Sequence, residues 1–199
     1  MYQLDIEIIG SAPLLHHNFP LEALAGLQAG ARRKSGAADY RMEWRTTMYE
    51  ADGHLYHPAA HLEGAMVKAA GGFRIKGSKN RTYRDLFRAY IAVTPEQIPL
   101  RYDGVPIPTP GAELLTTPTR PLHVDIRRVV IARAAVARAR LCVARGWSLR
   151  FTVACLDDQI RPEVVRTVLE DAGISSGIGD FRPKFGRFTI ISWAERPPA

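Results

Sequence analysis

The sequence predicts an α+β protein with a ferredoxin-like (RRM-like) fold, in which helices cover one face of an antiparallel sheet and loops are inserted between the elements. Residues 2–9 alternate between apolar and polar side chains, which is typical of a half-buried strand. Apolar residues recur at helical spacing after Pro58 and again after Pro162. The resulting order of strand, helix, strand, strand hairpin, helix and strand matches the split βαβ plan.

The first half of the chain contains the elements that begin this plan. Residues 21–38 have few large apolar side chains, so we expect a mobile excursion there with about one helical turn. Periodicity then predicts a helix over 40–49, a strand over 54–57, a helix that begins at 58 and stops near 71–72, a short helix over 83–90 and a strand over 91–94.

The second half begins with the proline-rich residues 102–121, in which we expect no regular element. The residues that follow favour two strands, 124–132 and 136–143, joined by a tight turn at 133–135. The patterns beyond them predict a strand over 147–156, a helix that Pro162 opens and Gly173 ends, and a last strand over 187–193.

The chain has the size of one domain. Its 199 residues, 46% of them hydrophobic, suffice for a core, so we predict a single domain over 1–199 with inserted or mobile segments at 18–53, 74–81 and 102–121. Two cysteines without metal-ligand spacing and a start without a secretory pattern lead us to expect a cytoplasmic setting. No apolar run approaches the roughly 20 residues of a spanning helix, so we expect no membrane partner.

Positive charge is concentrated in one part of the chain. The sequence has 27 basic and 20 acidic residues, a net charge of +7 and an isoelectric point of about 9.7. Between Arg120 and Arg150, eight arginines accompany a single acid, Asp125. Because arginine offers a planar fork of donors that matches phosphate oxygens, this segment favours a nucleic-acid partner. The alternative is a solvated surface hairpin without a ligand.

Residues 173–188 form the most distinctive segment, with the sequence GISSGIGDFRPKFGRF. Glycine lets the backbone approach a phosphate closely, arginine and lysine supply charge, and phenylalanine supplies a stacking or packing surface. This mixture is typical of single-strand binding. The segment is not a nucleotide-triphosphate loop, because the Gly-Lys-Ser/Thr ending is missing. The alternative is a structural turn whose phenylalanines belong to the core.

Three segments resemble the RAMP superfamily, the ferredoxin-like proteins of CRISPR effector complexes. The first is the glycine-rich segment, which lies between the last helix and the last strand. The others are IIGSAPLL at residues 8–15 and LYHPAAHLEGA at residues 55–65, which are similar to the first strand and the entry of the first helix in the backbone subunits of that group. A phage-encoded relative outside CRISPR systems is the alternative source of these features.

The resemblance implies RNA or single-stranded DNA held along the sheet and loops. It also implies copies of the chain in a homo-oligomer or filament, together with other effector-complex subunits. We therefore predict a non-catalytic protein that coats RNA or single-stranded DNA through a basic sheet and the C-terminal glycine-rich loop, with no cofactor. A structural subunit whose basic face meets an acidic protein is the alternative from another class.

The predicted nucleic-acid contacts lie in the basic loop at 74–81, in the arginine-rich hairpin and in the glycine-rich segment. These residues are Arg74, Lys76, Lys79, Arg81, Arg127, Arg138, Arg140, Gly177, Gly179, Arg182, Lys184 and Arg187. For the glycine-rich segment, the resemblance implies that Arg182, Lys184 and Arg187 bind the backbone of the nucleic-acid strand.

Five histidines are candidates for catalysis or metal binding. Some RAMP relatives are ribonucleases with a histidine near the first helix, so His16 and His17 are candidates for the acid or base of a metal-independent endoribonuclease. His54, His57 and His61 could suggest zinc. They straddle a strand-to-helix junction without a nearby cysteine, however, and we predict no metal site.

Overall fold

The computed structural model describes residues 1–18, 40–131 and 134–196. The strands in this part of the chain are β1 Tyr2–Gly10, β2 Leu14–Leu15, β3 Glu50–Ala51, β4 His54–Pro58, β5 Ile91–Thr94, β6 Gln97–Pro99, β7 Arg101–Tyr102, β8 Val105–Pro106, β9 Leu122–Ile131, β10 Ala134–Val143, β11 Trp147–Cys155 and β12 Phe188–Arg196. The α-helices are α1 Tyr40–Thr46, α2 Ala59–Ala70, α3 Arg84–Tyr90 and α4 Pro162–Asp171.

The main sheet has the strand order of a ferredoxin-like fold. The first strand, β1, lies between β12 and β11, and β5 pairs with the other edge of β11, all antiparallel. Helix α2 lies between β1 and β5 in the chain, and α4 lies between β11 and β12. These positions reproduce the split βαβ plan, so the predicted fold class is confirmed.

Alternation along the central strands decides which face of the main sheet is covered. Leu4, Ile6 and Ile8 of β1 are buried, and the next side chains point to the other face. β11 and the two crossover helices supply the rest of this core, with Leu149, Phe151, Val153, Leu62, Met66, Val165, Val168 and Leu169. Helices α2 and α4 pack together over this apolar face, as the fold class requires.

The arginine-rich hairpin forms a second sheet outside the main one. β9 and β10 pair over ten residues, and β2 adds two pairs to the far edge of β10. Ala134 and Ala135 are already paired with Ile131 and Val130, so the turn predicted at 133–135 was placed too late. The residues between the strands, 132–133, lie outside the described part of the chain.

Two further predictions are corrected. The proline-rich segment contains regular structure, because β8 pairs with β7 and a 3-10 helix spans Ala112–Leu115. The helix that Gly173 was expected to end continues as a π turn over Ala172–Ser176. A Cβ atom at Gly173 would overlap the carbonyl oxygen of Phe188, so glycine is required there for the close approach of β12.

The excursion predicted at 21–38 falls outside the described residues. The inserted segment around it is described only in part, by α1 and β3. A short third sheet is formed by β3, β4 and β6. In the described ranges, no helix has the length and apolar character that crossing a bilayer requires.

The close approach of β12 to Gly173 leads to a prediction about the stability of the fold. Gly173→Ala should lower the free energy of unfolding by about 1–3 kcal/mol, because the added methyl group forces backbone atoms apart. Gly64→Ala is the matched control: Gly64 is exposed within α2 and an added Cβ meets no atom within 4 Å. That substitution should raise the free energy of unfolding by about 0.5–1 kcal/mol. Urea denaturation of both variants measures this, and equal stabilities would contradict the packing argument.

Candidate nucleic-acid interface

Three glycines shape the glycine-rich loop, defined here as residues 177–187. Gly177, Gly179 and Gly186 have φ angles of 66°, 76° and 72°, in the left-handed region that other residues rarely adopt. A Cβ atom at Gly179 would lie 2.6 Å from the Leu15 carbonyl oxygen, and one at Gly186 would overlap the Ile178 carbonyl. The loop therefore folds tightly on itself and on β2.

Backbone hydrogen bonds hold the loop in this shape. The Asp180 N–H donates to the Leu15 carbonyl at 3.0 Å, and the Gly186 N–H donates to the Pro13 carbonyl at 2.7 Å. The Gly177 N–H donates to the Ala172 carbonyl at 2.7 Å, so it is not available to a phosphate. The glycines predicted to contact nucleic acid, Gly177 and Gly179, thus have a structural reason to be glycine, which is the fold of the loop.

The cations of the loop point outward. Arg182, Lys184 and Arg187 are all exposed. None of the three forms an ion pair with another residue in the described part of the chain. A rigid loop therefore presents three positive charges to solvent.

The three phenylalanines of this segment have different environments. Phe188 and Phe185 are only 1% and 6% exposed, so they serve as packing residues. Phe181 is 42% exposed. The sequence offered stacking and packing as alternatives for all three, and the structure leaves Phe181 alone available for stacking.

The hairpin arginines predicted to bind nucleic acid are engaged within the protein. Arg140 Nε lies 2.6 Å from Asp180 Oδ2, an ionic contact whose geometry is not that of a linear hydrogen bond. Arg138 pairs with Glu43 of α1. Arg127 donates from Nη2 to Asp125 at 2.9 Å. The contacts of Arg140 and Arg138 fix the loop and α1 to the hairpin, whereas Arg127 pairs within its own strand.

The basic loop at 74–81 is exposed, as predicted. Its four cations lie on the surface, and the Ile75 N–H donates to the Arg81 carbonyl at 3.0 Å to close it. This loop follows the C-terminal end of α2, whereas Arg182 lies close to the histidines at the N-terminal end. Because α2 has 12 residues, its two ends are about 18 Å apart, so the two basic groups lie near opposite ends of this helix.

Three histidines form a mostly buried cluster beside the glycine-rich loop. The Tyr49 N–H donates to His16 Nδ1 at 3.2 Å, and His61 Nδ1 lies 3.1 Å from His57 Nε2. Burial lowers the pKa of His16 to about 3 and the pKa of His57 well below its ordinary value. Burial and the charge of Arg182 also lower the pKa of His61.

The predicted acid–base role does not fit His16. It has no exposed surface, and its ring is neutral with Nδ1 as an acceptor, so it can neither reach a substrate nor donate a proton readily. His17 is partly exposed, with Nδ1 4.0 Å from Asp180 Oδ2 and 3.4 Å from Arg140 Nε. Within residues 1–18, 40–131 and 134–196, no three metal-binding side chains come together in a way that could hold an ion.

The open face of the main sheet is not basic. Arg196 Nε lies 2.6 Å from Asp5 Oδ2, and Arg150 Nε lies 3.0 Å from Glu7 Oε1. These pairs line a shallow depression of about 450 Å³ together with threonine and serine side chains. The prediction of a basic sheet is therefore corrected for this face, because its arginines are balanced by carboxylates of β1.

No family model and no curated protein matches the sequence. The sheet order and crossover helices define the class, a ferredoxin-like protein with an inserted hairpin sheet. Among solved structures, the chain is similar to a subunit of a type III-B Cmr-β complex bound to cognate target RNA, with a TM-score of 0.59 and 10% identity, over 98% of this chain and 60% of that one. A chain of a type IV-B CRISPR complex gives a TM-score of 0.49 and 12% identity, over 99% of this chain and 91% of that one.

The predicted resemblance to a subunit of a CRISPR effector complex is thus confirmed for the fold alone. The chain spans about 60% of the length of the type III-B subunit. At 10% identity the likeness concerns backbone architecture, so functional residues have to be argued from this chain's own surface.

The buried histidines predict how stability depends on pH. His16 and His57 stay neutral in the folded protein but bind protons at an ordinary pKa when unfolded, so stability is full above about pH 6.5 and falls as the pH drops below it. Each contributes a slope of up to about 1.4 kcal/mol per pH unit. Urea denaturation between pH 8 and pH 5 should show a shallower slope for His16→Asn, which keeps an acceptor near Nδ1. Equal slopes for variant and wild type would contradict the prediction.

Proposed function

We propose that this protein binds the phosphate backbone of a single-stranded nucleic acid, RNA in the first place, as a non-catalytic subunit of a larger complex. The observation that carries the proposal is the set of exposed cations on the glycine-rich loop, Arg182, Lys184 and Arg187, for which the described residues supply no ion-pair partner. Phosphate contacts of this kind are independent of sequence and strongly dependent on salt.

The fixed backbone of the loop favours binding. The loop backbone donates hydrogen bonds to Pro13 and Leu15, and Asp180 of the loop contacts Arg140. These contacts fix the backbone from which the cationic side chains extend. A ligand therefore has to order only the side chains, and a preorganised site loses less entropy on binding than a mobile one. The net charge of +7 adds long-range attraction for a polyanion.

The fold supports a place in a complex. The type III-B assembly with a subunit of similar fold is bound to target RNA, which favours RNA over single-stranded DNA as the first ligand to test. Membership of such a complex implies protein partners, either other subunits or further copies of this chain along one nucleic-acid strand. Of the two histidines of the endoribonuclease alternative, His16 is buried, and His17 is exposed with its Nδ1 near Arg140 and Asp180.

Removing loop cations should weaken RNA binding. The double variant Arg182→Ala/Arg187→Ala should bind single-stranded RNA about tenfold or more weakly at moderate salt, because two phosphate contacts are lost. The slope of log affinity against log salt should become shallower by about 1.4, since each contact on a single strand contributes about 0.7. Fluorescence anisotropy of labelled RNA across a salt series measures both quantities.

The matched control removes the same charge elsewhere. Arg161 lies just before α4 and Arg166 lies in its first half, where it pairs with Glu170 at 3.1 Å; both are exposed. Arg161→Ala/Arg166→Ala should leave the salt slope close to that of the wild type. Equal losses in the two double variants would indicate a general charge effect. Absence of RNA binding by the wild type at low salt would overturn the proposal and favour an acidic protein as the partner.

The basic loop at 74–81 predicts a dependence on ligand length. Because the basic loop lies near the other end of α2, a longer strand reaches both basic groups more readily than a short one. Lys76→Ala/Lys79→Ala should weaken binding of RNA of about 16 nucleotides more than binding of RNA of about 4 nucleotides. Anisotropy titrations with both lengths provide the measurement. An equal loss for both lengths would show that the two groups share one short site.

A further inference from the structure

Phe181 is an exposed aromatic residue in a costly backbone conformation. Its φ angle is 57°, and 42% of its surface is exposed. The other described residues with positive φ that are not glycine, Asp52 and Asp103, each precede a glycine in a turn, where aspartate is well tolerated. For a bulky aromatic residue, the same conformation is a rare outlier that destabilises the folded chain.

Packing in the core does not offset the unfavourable backbone conformation of Phe181. Phe185 and Phe188 fill the apolar space beneath the loop, and both are almost fully buried. The ring of Phe181 remains at the surface and touches the edge of this core through Phe185, at 6.4 Å between ring centres and an angle of 83°. Strained residues that the surrounding structure holds in place concentrate at binding sites, which makes this ring a candidate for one.

Arg127 fixes the ring from the hairpin side. Its guanidinium lies 5.5 Å from the ring centre of Phe181 and 4.6 Å from that of Phe185. Two hydrogen bonds to the Asp125 carboxylate hold the guanidinium in place. The orientation of Phe181 is therefore set before any ligand arrives, and the next residue in the chain is the exposed cation Arg182.

We propose that Phe181 is a stacking site for a nucleobase of the single strand whose phosphates contact Arg182 and Lys184. This inference rests on the proposed function and adds a base contact to it. An aromatic ring accepts any of the bases, because each has a flat π face, so the site would bind without sequence preference. The guanidinium of Arg127 would support the ring from behind by a cation–π contact.

The test compares RNA with and without bases. Phe181→Ala should weaken binding of uridine-rich RNA by roughly fivefold to a hundredfold. It should have no effect on an abasic ribose-phosphate strand of equal length, which keeps the phosphates. Phe181→Trp should keep the affinity of the wild type for the base-bearing strand. A 2-aminopurine placed in the RNA should lose fluorescence on binding the wild type and Phe181→Trp, but not Phe181→Ala.

The outcomes separate the two proposals. If Phe181→Ala binds base-bearing RNA as tightly as the wild type while Arg182→Ala/Arg187→Ala is weakened, the stacking site is overturned and the backbone proposal stands. If Phe181→Ala loses the same affinity for abasic and base-bearing strands, the residue acts on loop shape, which also overturns stacking. If the wild type binds neither strand, the proposed function is overturned and the stacking site with it. Thermal unfolding of each variant controls for folding.

Discussion

The contact between the glycine-rich loop and β2 connects the two largest parts of the molecule. The loop leads into β12, and β2 follows β1 in the chain. The long strands β12 and β1 are neighbours at the edge of the main sheet. β2 also pairs with β10, so the hairpin sheet meets the loop at the same place. Gly179 allows the close approach at Leu15, and the Asp180 N–H closes it with a hydrogen bond. A side chain at position 179 would separate the loop, the hairpin and the main sheet together.

Arginines divide into two groups around this contact. Arg138 and Arg140 lie in partly buried ion pairs, where loss of either partner would leave the other charge without compensation, at a cost below the roughly 3–5 kcal/mol of a fully buried pair. Arg182 and Arg187 stand in solvent, where charges contribute little to stability. The first group fixes the positions of the second. Arg138 and Arg140 thus support the candidate interface more than they form it.

Local patterns predicted the elements of the main sheet because alternation and helical spacing are decided by neighbouring residues. The partners of Arg138 and Arg140 could not be predicted, since Glu43 and Asp180 lie far away in the chain. The burial of His16 likewise depends on residues from β4 and α2. An irregular loop has no period, so no sequence pattern could tell that Phe181 is exposed and Phe185 is buried.

The exposed groups of the loop have different roles in the proposed function, and together they predict binding without sequence preference. The proposed phosphate contacts by Arg182 and Lys184 would position a strand but carry no information about its bases. The proposed stacking on Phe181 would respond to the presence of a base and hardly to its identity. Sequence readout requires hydrogen-bond donors and acceptors aimed at base edges, whereas the loop amides of Gly177 and Asp180 are already bonded within the protein. A surface built in this way would hold a strand through its phosphates and the flat faces of its bases without reading its sequence.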